Sequence, residues 1–132
     1  MAHIFLIGQL ATQTEVNIET IRYYEKIGLL PKAQRSAGGN RQYSDDDVKR
    51  LRFIRRCRQL DFNINEISAL LAMLDNQQLT CNEIYDFTQN HLKSIAVKIS
   101  SLKKMQKNLT TMAKKCNRGQ SPDCAIIDIL FD

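Results

Sequence analysis

The sequence predicts a mainly α-helical protein in which a compact basic head precedes one long helix. The chain has 132 residues and a net charge of +5. Residues 1–60 carry all of that charge, with 11 Lys and Arg against 6 Asp and Glu, whereas residues 61–132 have 8 of each. Short apolar periodicities fill the first half, and 81–116 contains neither Gly nor Pro. A chain of this length accommodates one head and an extended helix, not two independent cores.

The composition excludes several classes of protein. Hydrophobic residues make up 43% of the chain and charged residues 25%, which is typical of a globular protein. No window approaches the ~20 apolar residues of a membrane span, and the start lacks the basic segment of a signal peptide. We therefore expect a cytoplasmic protein that does not enter a membrane. In a reducing compartment its four Cys residues favour metal binding or redox chemistry over structural disulfides.

The head begins with two short helices. Leu6, Ile7 and Leu10 fit one helix face, and a polar break is expected at 12–15. Asn17 can cap a second helix over 18–27, which Gly28 ends. Two short helices joined by a tight turn predict a helix-turn-helix. The second helix is expected to expose side chains suited to phosphates and base edges, namely Thr20, Arg22, Tyr23, Tyr24 and Lys26.

A basic hairpin and two further helices complete the head. The Gly-Gly-Asn tip at 38–40 lies between basic flanks and predicts a hairpin, or wing, placed to grip a nucleic-acid backbone. Ser44 and Asp47 resemble a capping box that opens an Arg-rich helix over 45–60. Asn63 caps the next helix, over 64–74. The predicted DNA-binding domain is therefore residues 1–77.

The long helix, residues 80–116, opens with Thr80 and Glu83 in another capping-box pattern. Its apolar positions follow heptad spacing, and they are Leu92, Ile95, Ile99, Leu102, Leu109 and Cys116. A helix of this size is roughly 54 Å long at about 1.5 Å per residue. Because the head is too small to bury it, we expect a partner helix from a second copy of the chain, so that 80–116 is a dimerisation helix.

Three cysteines lie beside helix ends. Cys81 starts the long helix and Cys116 ends it, and Ser121-Pro122-Asp123 is expected to place Cys124 in the first turn of a last helix. Residues 117–132 would then form a metal-binding loop and a short terminal helix. Cys81 and Cys116 of one chain lie about 50 Å apart along the helix. If two long helices pair antiparallel, Cys81 of one protomer meets Cys116 and Cys124 of its mate, and thiolates are ligands for soft metals.

Two other residues have side chains that can bind a metal ion. Cys57 follows the apolar position Ile54 by three residues on the Arg-rich helix, which favours a small buried hydrophobe. His91 lies beside Leu92, ten residues beyond Cys81, and remains an auxiliary metal ligand only.

The head resembles the MerR family of transcriptional regulators. The resemblance rests on Ile7–Ala11, Val16–Leu30 and Arg35–Ser44, and it runs from about residue 5 to 74. The layout of Cys81, Cys116 and Cys124 is similar to the metal-sensing branch, and Cys81-Asn82-Glu83 with Asn90-His91 is closest to cadmium/lead sensors. The resemblance implies a winged helix-turn-helix homodimer joined by an antiparallel coiled coil. It also implies that inducer binding distorts promoter DNA so that RNA polymerase can use both of its elements.

The resemblance also implies site residues. Thr20, Arg22, Tyr23 and Tyr24 match the family's recognition helix, and Arg41 and Tyr43 match its wing. Three thiolates favour a soft divalent ion, with Cd(II) or Pb(II) ahead of Hg(II) or Zn(II), because Zn(II) prefers four ligands.

A metal sensor has two alternatives, a redox regulator and an enzyme. A thiol redox regulator on the same scaffold would use a disulfide between Cys116 and Cys124. An enzyme is not expected, because the sequence has no Gly-rich phosphate loop, no Cys/His pair and no paired carboxylates in a cleft-forming context.

Overall fold

The computed structural model describes residues 3–116, 119 and 124–132. Within them the fold is mainly helical, as the sequence predicts. The elements in chain order are α1 (Ile7–Thr14), α2 (Ile18–Lys26), β1 (Gln34–Arg35), β2 (Arg41–Gln42), α3 (Asp45–Gln59), α4 (Ile64–Asp75), α5 (Cys81–Lys114) and α6 (Ala125–Phe131). The chain divides into two compact units, residues 1–79 and 80–132.

Helices α1 and α2 form the helix-turn-helix. The polar break expected at 12–15 is wrong, because α1 continues through Thr14. The hydroxyls of Thr12 and Thr14 donate hydrogen bonds to the carbonyls of Gly8 and Leu10, one turn earlier. Both hydroxyls therefore have hydrogen-bond partners within the helix. Glu15 then adopts a left-handed conformation (φ 59°) and ends α1.

The second helix begins at Ile18 as predicted and ends at Lys26, one residue before the predicted end, because Ile27 is the C-cap. The Asn17 side chain accepts a 2.7 Å hydrogen bond from the Thr20 N–H, which caps α2. At the other end Gly28 has φ +81°, a left-handed conformation that glycine adopts without steric cost.

The wing is a two-stranded antiparallel hairpin in which Gln34 pairs with Gln42 and Arg35 with Arg41. At its tip Gly39 has φ +83°, and the Ser36 N–H donates to the Asn40 carbonyl at 2.8 Å. A further antiparallel bridge joins Tyr43 to Phe5, with two N–H···O bonds of 2.8 Å. The hairpin is thereby tied to the segment that enters α1.

Helices α3 and α4 pack with the helix-turn-helix around one apolar core. Its fully buried side chains are Leu10, Ile21, Leu29, Leu30, Tyr43, Leu51, Ile54 and Ile67. The capping box of Ser44 and Asp47 forms as predicted, and Asn63 makes another with Glu66.

Several arginines of α3 form hydrogen bonds or ion pairs with other residues of the head. Arg50 donates to the Leu29 carbonyl and to both oxygens of Asp75. Arg55 forms a 3.0 Å ion pair with Glu15.

Helix α5 spans 34 residues and opens with the predicted Thr80 and Glu83 capping box. It ends at Lys114 rather than at Cys116, because Lys115 is the C-cap and the Cys116 N–H turns back to the Ala113 carbonyl at 3.1 Å. Its predicted seam is solvent-exposed in the single chain, with Leu92 50%, Ile99 48%, Leu102 62% and Leu109 58% exposed. No helix among the described residues is long and apolar enough to span a membrane.

Helix α6 packs against α5. The placement of Cys124 in the first turn of this helix is wrong: Cys124 is the N-cap, and the helical residues begin at Ala125. The cap proposed for Ser121-Pro122-Asp123 lies outside the described residues.

Candidate functional site

Helix α2 and the wing enclose a basic cavity. Its volume is about 650 Å³, and its polar lining comes chiefly from Arg22 of α2, Arg35 and Arg41 of the two wing strands, and Asn40 of the tip. A neighbouring cavity of about 270 Å³ shares these three arginines and adds Lys26, Lys32 and Glu25. Cationic side chains from two different elements therefore converge on one concave surface, an arrangement suited to phosphate oxygens.

The structure brings together part of the predicted DNA-binding set. Arg22 of α2 and Arg41 of the wing line the same cavity. Tyr23 is exposed on α2 (52%), and Thr20 is half-buried in its first turn. Lys26, in the last turn, is exposed, as predicted.

The exposure predicted for Tyr24 is wrong. Its side chain is only 8% exposed, and burial raises the pKa of its hydroxyl. On a helix, residues 21, 24 and 25 fall on one side, and all three are buried in α2. Tyr24 therefore packs in the core of the head rather than lying on the exposed face with Arg22.

Tyr43 is buried as well, at 1% exposure. Its hydroxyl donates to Oε1 of Glu25, a carboxylate on the buried side of α2. Burial, followed by the hydrogen bond to Glu25, raises the pKa of Tyr43 to about 12, although the neighbouring Arg41 opposes the rise. Tyr43, which the resemblance places among the DNA-binding residues of the wing, is therefore not exposed in this structure. The side chain faces inward and joins the wing to α2.

Sequence reasoning missed Arg35, Lys32 and Glu25 as members of this site. The basic flanks of the hairpin were a signal for Arg35, because a two-stranded pairing sets it directly opposite Arg41. For Glu25 there was no such signal, since its burial depends on Tyr43, which is 18 positions away in sequence.

The three predicted metal ligands lie at the ends of helices in residues 80–132. Cys81 is exposed at the first position of α5, and Cys116 and Cys124 are half-buried; all three are free thiols. Among the described residues of the single chain, no three His, Cys, Asp or Glu side chains are grouped closely enough to hold a metal ion. The chain alone therefore does not assemble the predicted site.

Cys57 and His91 have contrasting positions. Cys57 is 7% exposed on α3, where burial raises its thiol pKa, so it is a small buried side chain, as predicted. His91 is 7% exposed on α5, ten residues from exposed Cys81. The two are about 15 Å apart along the helix, too far to share an ion within one chain.

The chain matches known proteins along almost its whole length. Residues 5–74 match the family described as "MerR HTH family regulatory protein", and residues 48–112 match "MerR, DNA binding". The mercuric resistance operon regulatory protein of Bacillus cereus is 41% identical over 128 residues, which cover 96% of this chain and 97% of that protein.

Two solved structures have the same fold. The transcription regulator PbrR691 from Ralstonia metallidurans CH34, in complex with lead(II), is 33% identical with a TM-score of 0.77, over 96% of this chain and 98% of that one. The dual-function regulator MerR from Bacillus megaterium MB1, in complex with mercury(II), is 35% identical with a TM-score of 0.72, over 97% and 100%. These relatives are regulators and not enzymes, which agrees with the absence of an enzyme motif. With its winged head, long helix and full-length matches, the chain belongs to the MerR family of helix-turn-helix regulatory proteins.

Proposed function

We propose that this protein is a metal-responsive transcriptional regulator that binds promoter DNA as a homodimer in the cytoplasm. The observation that carries the proposal is the placement of thiols at opposite ends of one long helix whose apolar stripe is exposed. Binding of a soft divalent ion would distort the promoter so that RNA polymerase can use it, and metal-resistance or efflux genes would be activated.

The basic cavity supports DNA binding. Arg22, Arg35 and Arg41 converge there, and Tyr23 and Lys26 extend the surface along α2. Arginine donors fit phosphate oxygens and guanine edges. Thr20, at the start of α2, is also part of this proposed DNA-binding surface. Tyr24 and Tyr43 belong to this interface as buried supports of the exposed residues.

The exposed stripe of α5 supports a homodimer. Apolar side chains at heptad spacing that are about half exposed in the single chain need an apolar partner. An antiparallel copy of the same helix would bury them and set Cys81 of one protomer beside Cys116 and Cys124 of the other. The domains would then be a DNA-binding head at 1–77, a dimerisation helix at 80–116 and a metal-binding loop with a terminal helix at 117–132.

The donor set favours soft metals. Free thiols at solvent-accessible or half-buried positions can lose their protons and bind soft ions, which prefer sulfur. We propose Cd(II) or Pb(II) as the inducer, with Hg(II) and Zn(II) as alternatives; the related regulators were solved with lead(II) and mercury(II). For Zn(II), water would have to supply a fourth ligand, because His91 lies about 15 Å from Cys81 along α5.

An anaerobic titration series tests the proposal. Cd(II), Pb(II), Hg(II), Zn(II) and Cu(I) are added to the full-length protein, and bound ion, released protons and transcription from the native promoter are measured. We expect Cd(II) and Pb(II) to induce at lower concentration than Zn(II), and Cu(I) to induce poorly. Cys81→Ser should sharply weaken the Cd(II) and Pb(II) responses and leave metal-free DNA binding intact.

Cys57→Ser is the matched control, since the buried Cys57 thiol is not in the proposed set. It should cost packing stability and leave the response in place. If Cys57→Ser abolished the response and Cys81→Ser spared it, the ligand assignment would be wrong. A response to oxidants alone, without ion binding, would instead indicate the redox regulator that uses Cys116 and Cys124.

A further inference from the structure

The buried carboxylate of Glu25 lies in an unexpected place for a DNA-binding head. Glu25 is 9% exposed and lines the cavity of about 270 Å³ whose other charged residues are cations, namely Arg22, Lys26, Lys32, Arg35 and Arg41. A negative charge on a surface that meets phosphates repels them. A structural reason is therefore needed for a carboxylate at this position.

Glu25 accepts a hydrogen bond from the hydroxyl of Tyr43. Tyr43 is held on its backbone as well, because its N–H and carbonyl pair with Phe5 at 2.8 Å each. The phenol therefore links the last turn of α2 to the strand that carries Arg41, two residues earlier in sequence. A hydrogen bond to an ionised acceptor in a buried setting is stronger than one between neutral groups.

The guanidinium of Arg41 lies near the hydrogen-bonded pair of Tyr43 and Glu25, and one of its nitrogens has no acceptor among the described residues. Its guanidinium lies close enough to the Tyr43 hydroxyl to act on that group's ionisation. Its Nη1 is buried and has no hydrogen-bond partner in the part of the chain that the structure describes. Buried polar groups without partners are rare in folded proteins. Because this atom is buried, a phosphate cannot reach it directly; the residue as a whole is half-buried and lines the same cavity as Arg22 and Arg35.

We propose that Glu25 is a positioning residue for DNA binding: through Tyr43 it fixes the wing against α2, so that Arg41 is held in the basic cavity beside Arg22 and Arg35, where it meets a backbone phosphate of the duplex. The inference rests on the DNA-binding function proposed above and adds a residue that does not itself touch DNA. The Glu25 charge is kept near the cations because it orients one of them.

The two alternative roles of the Glu25 carboxylate predict opposite changes in DNA affinity when its charge is removed. If Glu25 acted only through its charge, Glu25→Gln would remove repulsion and tighten DNA binding. If Glu25 positions Arg41, Glu25→Gln weakens binding by about 2- to 10-fold, because an amide oxygen accepts the Tyr43 hydroxyl less strongly than a carboxylate does. The measurement is the affinity of the full-length, metal-free protein for a labelled duplex of mixed sequence at several salt concentrations.

Two further variants localise the effect. Arg41→Ala should weaken binding and lower the salt slope by about one charge, and in that background Glu25→Gln should cause no further weakening. Glu19→Gln, on the exposed side of the same helix, is the control for removing one negative charge. It should leave affinity unchanged or raise it slightly.

Folding is checked by thermal unfolding of each variant. If Glu25→Gln is too unstable to assay, Tyr43→Phe removes the donor and so breaks the link outright, keeps the ring in the core and should show a loss of affinity at least as large, with the same coupling to Arg41. Equal or tighter binding by folded Glu25→Gln or Tyr43→Phe would overturn the positioning role. If Arg22→Ala and Arg41→Ala also bound like the unmodified protein, the DNA interface itself would be wrong.

Discussion

At the scale of single residues, side-chain exposure separates groups that the sequence places side by side. Arg22 and Tyr23 are exposed on α2, whereas the adjacent Tyr24 and Glu25 are buried. Likewise Arg41 lines a basic cavity, and Tyr43, two residues later, is 1% exposed. The exposed members are those that we propose to meet DNA, whereas the buried ones pack in the core of the head.

Arg22 tests the DNA interface at this scale. Arg22→Ala should weaken operator binding in both the metal-free and the metal-bound protein, because the Arg22 side chain is proposed to contact DNA and has no part in metal binding. If Arg22 contacts a base, the loss should be about 1–3 kcal/mol with relaxed specificity, and if it meets only phosphate the salt slope should fall by about one charge. Binding isotherms at several salt concentrations measure both. An unchanged isotherm would remove Arg22 from the interface.

Tyr43 predicts a pH dependence of stability. In the unfolded chain its hydroxyl ionises near pH 10, whereas in the folded head its pKa is raised to about 12. Between these values the unfolded state loses a proton that the folded state keeps, so this contribution is complete below pH 10 and falls as pH rises toward 12. Denaturant unfolding at pH values from 9 to 12 should show a shallower decline for Tyr43→Phe than for the unmodified protein. Identical slopes would contradict the assignment.

At the scale of elements, capping residues decide where the helices of the head begin. Asn17 sets the start of α2, which carries Arg22 and Tyr23. Asn17→Ala should lower the free energy of unfolding by about 0.5–2 kcal/mol, because the Thr20 N–H loses its acceptor. Asn17→Ser keeps a side-chain oxygen and should retain most of the stability. Chemical denaturation measures both, and equal losses for Ala and Ser would show that the cap hydrogen bond is not the cause.

At the scale of the whole molecule, the proposed metal site needs two chains. Cys81→Ser and Cys116→Ser homodimers should each be defective at both sites. A heterodimer of the two should regain one intact site, because one chain then supplies Cys81 and the other Cys116 and Cys124. The reason is the separation of about 50 Å between Cys81 and Cys116 in a single chain. The heterodimers are isolated by the different tags on their two chains, and their metal binding is measured by titration.

The control for this experiment is a mixture of two differently tagged Cys81→Ser chains, which should bind no metal at the site. Confirmed heterodimers of Cys81→Ser and Cys116→Ser that also fail to bind metal would contradict the cross-subunit arrangement.

The elements that depend on local chemistry could be predicted from the sequence alone. The caps at Asn17, Ser44, Asn63 and Thr80 and the left-handed Gly28 act within a few residues, so their patterns predict the helix boundaries closely. The burial of Cys57 follows in the same way from its helical spacing to Ile54. The polar residues at 12–14 wrongly predicted a break in the first helix. Threonine hydroxyls can donate hydrogen bonds to carbonyls one turn earlier, and the residues then remain helical.

Which polar side chains face inward depends on contacts between distant segments of the folded chain. A tyrosine suits an exposed and a buried position alike, since its ring packs in a core wherever its hydroxyl finds a partner. Tyr43 found that partner in Glu25, 18 residues away, and so the link between the wing and α2 could not be read from either segment alone. The convergence of Arg22, Arg35 and Arg41 has the same origin: it depends on packing between distant segments, which local sequence patterns do not encode.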